Sequence, residues 1–107
     1  YFAPYVGAKP WVVRVTPSLA LEVARKNVTV HAICPGFLDT EMTDRSVANI
    51  MEKTGMTDEA ARTSLAAHNP QKRLVRPAEV TAAAIWLCAP GSEGVNGQAI
   101  SVSGGEI

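Results

Sequence analysis

VTVHAIC, residues 28–34, runs directly into PGF, residues 35–37. The first run is short, β-branched and apolar on both faces, as a strand covered by helices on both sides requires. Pro35 has no N–H to donate to a ladder and Gly36 can take a positive φ, so a sharp turn must end the strand here. Upstream, Pro4 to about Lys26 carries a helical pattern. Val12, Val15, Leu19 and Val23 recur at three- and four-residue steps, with Glu22, Arg25 and Lys26 off that stripe. Pro4 suits a first helical turn, and Asn27 ends the segment.

Downstream, Leu38 to Asn69 is polar and mixed, with helical stretches around Asp44–Lys53 and Asp58–Ala67. Thr57 is placed to cap the second of these, with Asp58 and Glu59 favourable in its first turn. Pro77 opens PAEVTAAAIWLC, where Val80, Ala84, Leu87 and Cys88 make one helical face. Gly91, Gly94 and Gly97 break that helix, QAISVS (98–103) forms a second strand, and Gly104–Gly105 end it. Two buried-type strands joined through a helix predict a parallel pair with a right-handed crossover, hence an α/β fold. Such a pair cannot stand alone in water, because its outer edges and apolar faces need partners. The chain begins at Tyr1 rather than methionine, and we read it as the back part of something longer.

Composition sets outer bounds. The chain has 107 residues, 47% hydrophobic and 19% charged, with a formal net charge of +0. That is globular composition, with no electrostatic footprint for nucleic acid and no basic helix for a membrane surface. No apolar run is long enough to span a bilayer, and no signal-peptide pattern opens the chain. Cys34 and Cys88 are the only cysteines. They do not make a disulfide framework, so we expect a reducing compartment and a cytoplasmic protein. The two histidines and two cysteines lack ligand spacing, and we assign no metal site.

The chemistry-bearing motif is YVGAK, residues 5–9. Four residues apart on a helix, Tyr5 and Lys9 share one face. A lysine ammonium beside a phenol favours the phenolate, and the helix N-terminus pushes the same way. A phenol so tuned exchanges a proton with an alcohol or carbonyl oxygen near neutral pH. An isolated pair of this kind is far more often an amphipathic tyrosine and a solvated lysine. Tyr1 is not an equal candidate, since Tyr5 rather than a lysine stands four residues on.

Four blocks taken in order decide between these readings. YVGAK (5–9), SLALEVARKNVTVHAICPGFLDTEMT (18–43), KRLVRPAEV (72–80) and GVNGQAISVSGGE (94–106) resemble the C-terminal half of short-chain dehydrogenases/reductases. Within that family they are most similar to 3-oxoacyl-thioester reductases and 3-hydroxyacyl or 3-hydroxybutyrate dehydrogenases. The resemblance implies the C-terminal part of a Rossmann-like, doubly wound parallel sheet: a catalytic helix (1–26), a strand (28–34), a turn and substrate lid (35–76), a helix (77–90) and the last strand (98–103). It implies Tyr5 as general acid/base on the substrate oxygen, and Lys9 as the group that lowers the Tyr5 pKa and holds the ribose hydroxyls of NAD or NADP. Pro35 and Gly36 would shape the turn against the nicotinamide, Phe37 and Leu38 would present backbone groups to the carboxamide, and Thr40 would bond the carboxamide or a phosphate. The implied partners are a small hydroxy/keto or acyl-thioester substrate and further copies of the chain, as a homodimer or homotetramer.

Some positions depart from that pattern. The glycine-rich turn, the asparagine-alanine-glycine segment and the catalytic serine of the family are not among these residues, so the chain alone is expected to bind no cofactor and to be inactive. Pro10 and Pro17 fall inside the first helix, where proline removes a hydrogen bond at a cost of about 3 kcal/mol, and a kink is expected at Pro10. That supports a second reading, a degenerate or subunit-association piece without catalysis. His31 replaces a common asparagine and is expected to be satisfied by neighbouring backbone. Lys72, Arg73 and Arg76 form a solvated loop edge or meet an acyl carrier or CoA phosphate. Trp11 and Trp86 are read as packing residues.

Overall fold

The computed structural model describes the backbone of residues 3–106 and the side chains of residues 10–106. The elements are α1 (Ala3–Val23), β1 (Ala32–Pro35), α2 (Glu41–Thr54), α3 (Asp58–Ala66), α4 (Pro77–Cys88) and β2 (Ala99–Val102). β1 and β2 form a two-stranded parallel sheet. The chain divides into two units, residues 1–33 with 83–100 and residues 34–82 with 101–107, so that both strands and α4 contribute to each.

In the first unit, α1 runs on as helix across Pro10 and Pro17. The helix is not interrupted at Pro10, and Lys9 keeps helical backbone in spite of the proline after it. Each proline removes a single rung from a helix of 21 residues. A last tight turn, Ala24–Lys26, closes on Asn27, whose left-handed φ of 58° lets its N–H reach Ala24 C=O. The loop before β2 then lies against α1: a side chain on Gly97, at φ +69°, would meet Ala20 Cβ at 3.4 Å. Sheet pairing starts late. Gly97 N–H donates to Val30 C=O and Ala32 N–H to Gln98 C=O, each at 2.9 Å. The strand expected from Val28 is therefore regular only from Ala32, because its partner chain arrives at Gly97.

The apolar stripe of α1 is not where a core would put it. Among its described side chains Thr16 and Ala20 are the buried ones, whereas Val12, Val15 and Leu19 are exposed, with Trp11 at 70% and Leu21 at 80%. The expected face of α4 is likewise only partly covered: Leu87 is buried, Cys88 is exposed and Ile85 stands 64% open. Trp86 is about half exposed at 49%; both tryptophans are expected packing residues, with a subunit contact as one possible place for either. His31 corrects another expectation, since neither ring nitrogen finds a hydrogen-bond partner among the described residues although both are buried. Cys34 and Cys88 are free thiols.

The second unit has its own core. α2 and α3 form a hairpin in which Val47, Ala61 and Leu65 are buried, with Phe37, Ile50 and Leu74 packed against them. Gly55 ends α2 in the left-handed region at φ 70°, its N–H on Met51 C=O. Thr57 caps α3 as expected, accepting from Ala60 N–H at 3.2 Å. Arg62 straps the two helices, Nη2 to Asp44 Oδ1 at 2.6 Å and Nε to Asp58 Oδ1 at 2.9 Å. At the start of α4, Arg73 grips Glu79 with two 2.7 Å bonds, and Glu79 also accepts the Arg76 N–H at 2.7 Å. That is half of a capping box, made by the third residue of the helix.

Candidate active site

The turn after β1 is built from backbone constraints. Gly36 N–H donates to Val102 C=O at 3.1 Å, which carries the sheet pairing one residue past Pro35. A β-carbon on Gly36 would lie 3.2 Å from both Cα and Cβ of Ser103, so a side chain there would push the residue after β2 back by a few tenths of an ångström. Phe37 turns its ring into the α2–α3 core, 5.6 Å from the ring of His68. Leu38 then bridges Val75 in parallel: Val75 N–H donates to Phe37 C=O and Asp39 N–H to Val75 C=O, each at 2.9 Å.

These bonds decide what the turn has left to offer. Phe37 C=O is taken by Val75, and Leu38 C=O accepts Thr40 N–H at 3.0 Å together with the Thr43 hydroxyl. Neither carbonyl is free, so the backbone groups that Phe37 and Leu38 have left to present are their N–H groups. Leu38 N–H meets no acceptor among the described residues. Thr40 stands at the N-cap of α2 in extended conformation, φ −140° and ψ 172°, yet its side chain makes no capping bond. The half-buried Thr40 hydroxyl and the N–H groups of Phe37 and Leu38 are thus open polar groups of this turn, beside the N-terminus of a 14-residue helix.

Of the residues singled out from sequence, the structure brings Pro35, Gly36, Phe37, Leu38 and Thr40 onto this one turn. Tyr5 and Lys9 lie one helical step apart on the backbone of α1, and their side chains lie outside the described residues. The sequence reading missed Val75 and Thr43, which hold Leu38, and Asn69, which packs under the turn after β2. A threonine three residues after a cap threonine was the available signal for Thr43. Among the described residues, no group of three or more His, Cys, Asp or Glu is placed to hold a metal, and no helix is long and apolar enough to cross a membrane.

A family model described as enoyl-(acyl carrier protein) reductase matches residues 1–106. The chain belongs to the short-chain dehydrogenase/reductase family. As a member of that family it is 36% identical over 103 residues to 3-oxoacyl-(acyl-carrier-protein) reductase FabG of Vibrio cholerae, covering 96% of this chain and 38% of that protein. It is 37% identical over 107 residues to the hydroxynaphthalene reductase-like protein Arp2 of Metarhizium acridum, covering 98% of this chain and 40% of the relative. Among solved structures, it is similar to a tryptophan variant of actinorhodin polyketide ketoreductase with NADPH, at TM-score 0.86 and 37% identity, covering 96% of this chain and 40% of that one. This short-chain dehydrogenase/reductase chain thus spans about 40% of the length of the curated relatives it matches, and its α/β fold is the C-terminal part of their Rossmann-like sheet.

Proposed function

We propose that the chain is the catalytic and substrate-lid part of an NAD(P)-dependent oxidoreductase that interconverts a secondary alcohol and a ketone, of the 3-oxoacyl reductase or 3-hydroxyacyl dehydrogenase kind. The observation that carries this reading is the turn at residues 35–40, which ties up the Phe37 and Leu38 carbonyls and leaves, among its open polar groups, Leu38 N–H and the Thr40 hydroxyl. Those two groups suit a carboxamide and a nearby polar oxygen, and Lys9 is the residue to hold the ribose hydroxyls. The nicotinamide, when bound, supplies or accepts the hydride. Tyr5 holds the proton: its phenol donates to the carbonyl oxygen in reduction and takes the proton back in oxidation, with Lys9 keeping the phenol acidic enough to do so. The α2–α3 hairpin, with its own core, covers the substrate and excludes water.

Relatives named as ketoacyl and 3-oxoacyl-(acyl-carrier-protein) reductases support an acyl-thioester or polyketide-like carbonyl as the substrate class. The same reading makes the protein a cytoplasmic homo-oligomer, dimer or tetramer, supported by the uncovered apolar residues of α1 and α4. It also holds that the chain on its own is inactive. A non-catalytic role is favoured by one feature, Pro10 directly after Lys9. The test is reduction of acetoacetyl-CoA by the intact protein with NADPH and with NADH. We expect turnover with one cofactor, a 10²–10⁴-fold loss, as an order of magnitude, in Tyr5→Phe, and cofactor binding retained in that variant. Turnover unchanged in Tyr5→Phe, or no turnover with any ketone or secondary alcohol, would contradict the proposal.

A further inference from the structure

Trp11, Arg14, Val15, Ser18, Leu19 and Glu22 line a groove of about 500 Å³ along one side of α1. All six are exposed. Trp11, Val15, Ser18 and Glu22 follow at four-, three- and four-residue steps, the spacing of a seam by which one helix meets another. Thr16 and Ala20, the buried side chains of α1, fall on the opposite side of the helix.

The order of charges along this stripe selects the partner. Arg14 stands four residues before Ser18 and Glu22 four residues after it. If the helix pairs antiparallel with a copy of itself about a two-fold axis at Ser18, residues placed symmetrically about Ser18 come level with each other. Arg14 is then level with the second copy's Glu22, and Glu22 with its Arg14, about 6 Å along the helix from the axis on either side. Trp11 and Arg25 stand seven residues before and after Ser18, so an aromatic ring and a guanidinium come level in the same way. A parallel pair in the same register would set arginine on arginine and glutamate on glutamate, which is repulsive. Among the described residues neither Arg14 nor Glu22 makes an ion pair within the chain, and the small Ser18 at the centre lets the two helices approach.

We propose that α1 is a self-pairing helix: its open stripe packs antiparallel on the same stripe of a second copy, and Arg14 and Glu22 fix the register by pairing crosswise about Ser18. The inference rests on the homo-oligomer reading above and adds which helix pairs, in which direction and about which residue. Trp11, Val15 and Leu21, open in the single chain, are covered in that pair. The two-fold axis repeats every change, so reversing one charge sets two like-charged pairs in the interface. Reversing both restores two opposite pairs.

Sedimentation equilibrium of the intact protein compares wild type with Arg14→Glu, Glu22→Arg and the double variant. We expect each single variant to fall to a smaller assembly, its dissociation constant raised at least about tenfold, and the double variant to return to within about threefold of wild type. The defect of the single variants should shrink at high salt. Single variants that assemble as wild type does overturn the inference, because the stripe is then covered by something other than its own copy. A double variant as weak as the single ones overturns the crosswise register. Should a reversal variant not fold, Arg14→Gln, Glu22→Gln and their double carry the test: a coupling between the two sites supports the register, and additive losses overturn it. A wild-type protein that stays monomeric at every concentration overturns the homo-oligomer reading itself, a result distinct from an assembly that ignores the charge reversal.

Discussion

Gly104→Ala is expected to be among the most damaging single-methyl additions in the chain. Gly104 has φ +66°, and a β-carbon there would fall 1.9 Å from Asn69 Oδ1, 2.4 Å from its Cγ and 2.5 Å from its Nδ2. The left-handed backbone alone costs an L-residue about 1 kcal/mol. The collision cannot be relieved by swinging a loose side chain aside, because Asn69 is only 4% exposed. Moving it breaks the 2.7 Å bond from Gln71 N–H to Asn69 Oδ1 and strands a buried polar group, about 1–3 kcal/mol more. The sum is roughly 2–4 kcal/mol. Urea denaturation of the intact protein measures it, as a lower midpoint at constant m. A double-mutant cycle isolates the collision: in an Asn69→Ala background Gly104→Ala should retain only the backbone cost of about 1 kcal/mol. A loss below about 1 kcal/mol in the wild-type background, or additive costs in the cycle, would refute the packing described here.

Glu79 gives a pH prediction. The Arg73 guanidinium first, then the Arg76 N–H, hold its carboxyl at about 2 against an ordinary 4.5. A depressed carboxylate stabilises the fold fully above the unfolded value and loses that contribution as pH falls from about 4.5 towards about 2. The Tm gap between wild type and Glu79→Gln should therefore be widest at neutral pH and close over that range. Thr57→Ala removes the cap of α3 and should cost about 1 kcal/mol by urea denaturation, with faster amide exchange confined to the start of that helix. Pro10→Ala restores a rung of α1 and should raise Tm. If Pro10 also weakens catalysis by displacing Lys9, turnover will rise with it, and unchanged turnover rejects that link.

What could be read from sequence was local chemistry. Asn27 as the end of the first helical segment and Thr57 as a cap each depend on residues within a few positions, and each appears where expected, whereas Gly36 takes no positive φ and stays paired to Val102. What could not be read was set by distant partners. The Val12–Val15–Leu19 stripe marks a face that needs cover, but cover is a property of other elements, and among the described side chains of α1 only Thr16 and Ala20 are buried. The first strand becomes regular at Ala32 rather than Val28 because its pairing with the loop before β2 begins at Gly97. His31 has no partner among the described residues, where local backbone had been expected to supply one. Asn69 is a polar residue in a polar stretch, and nothing local separates it from its solvated neighbours. Its role arises only once the chain returns to place Gly104 on it.

The central claim is that two paired strands with half-covered helices leave too much apolar surface open, such as Trp11, Leu21 and Ile85, to hold a native state without the rest of the sheet. Calorimetry of the isolated 107-residue chain, with its mass in solution determined alongside, tests this most directly. The account predicts either association or a broad transition without a cooperative heat-absorption peak. A monomer that melts in one sharp, concentration-independent transition, with calorimetric and van't Hoff enthalpies equal, would contradict it.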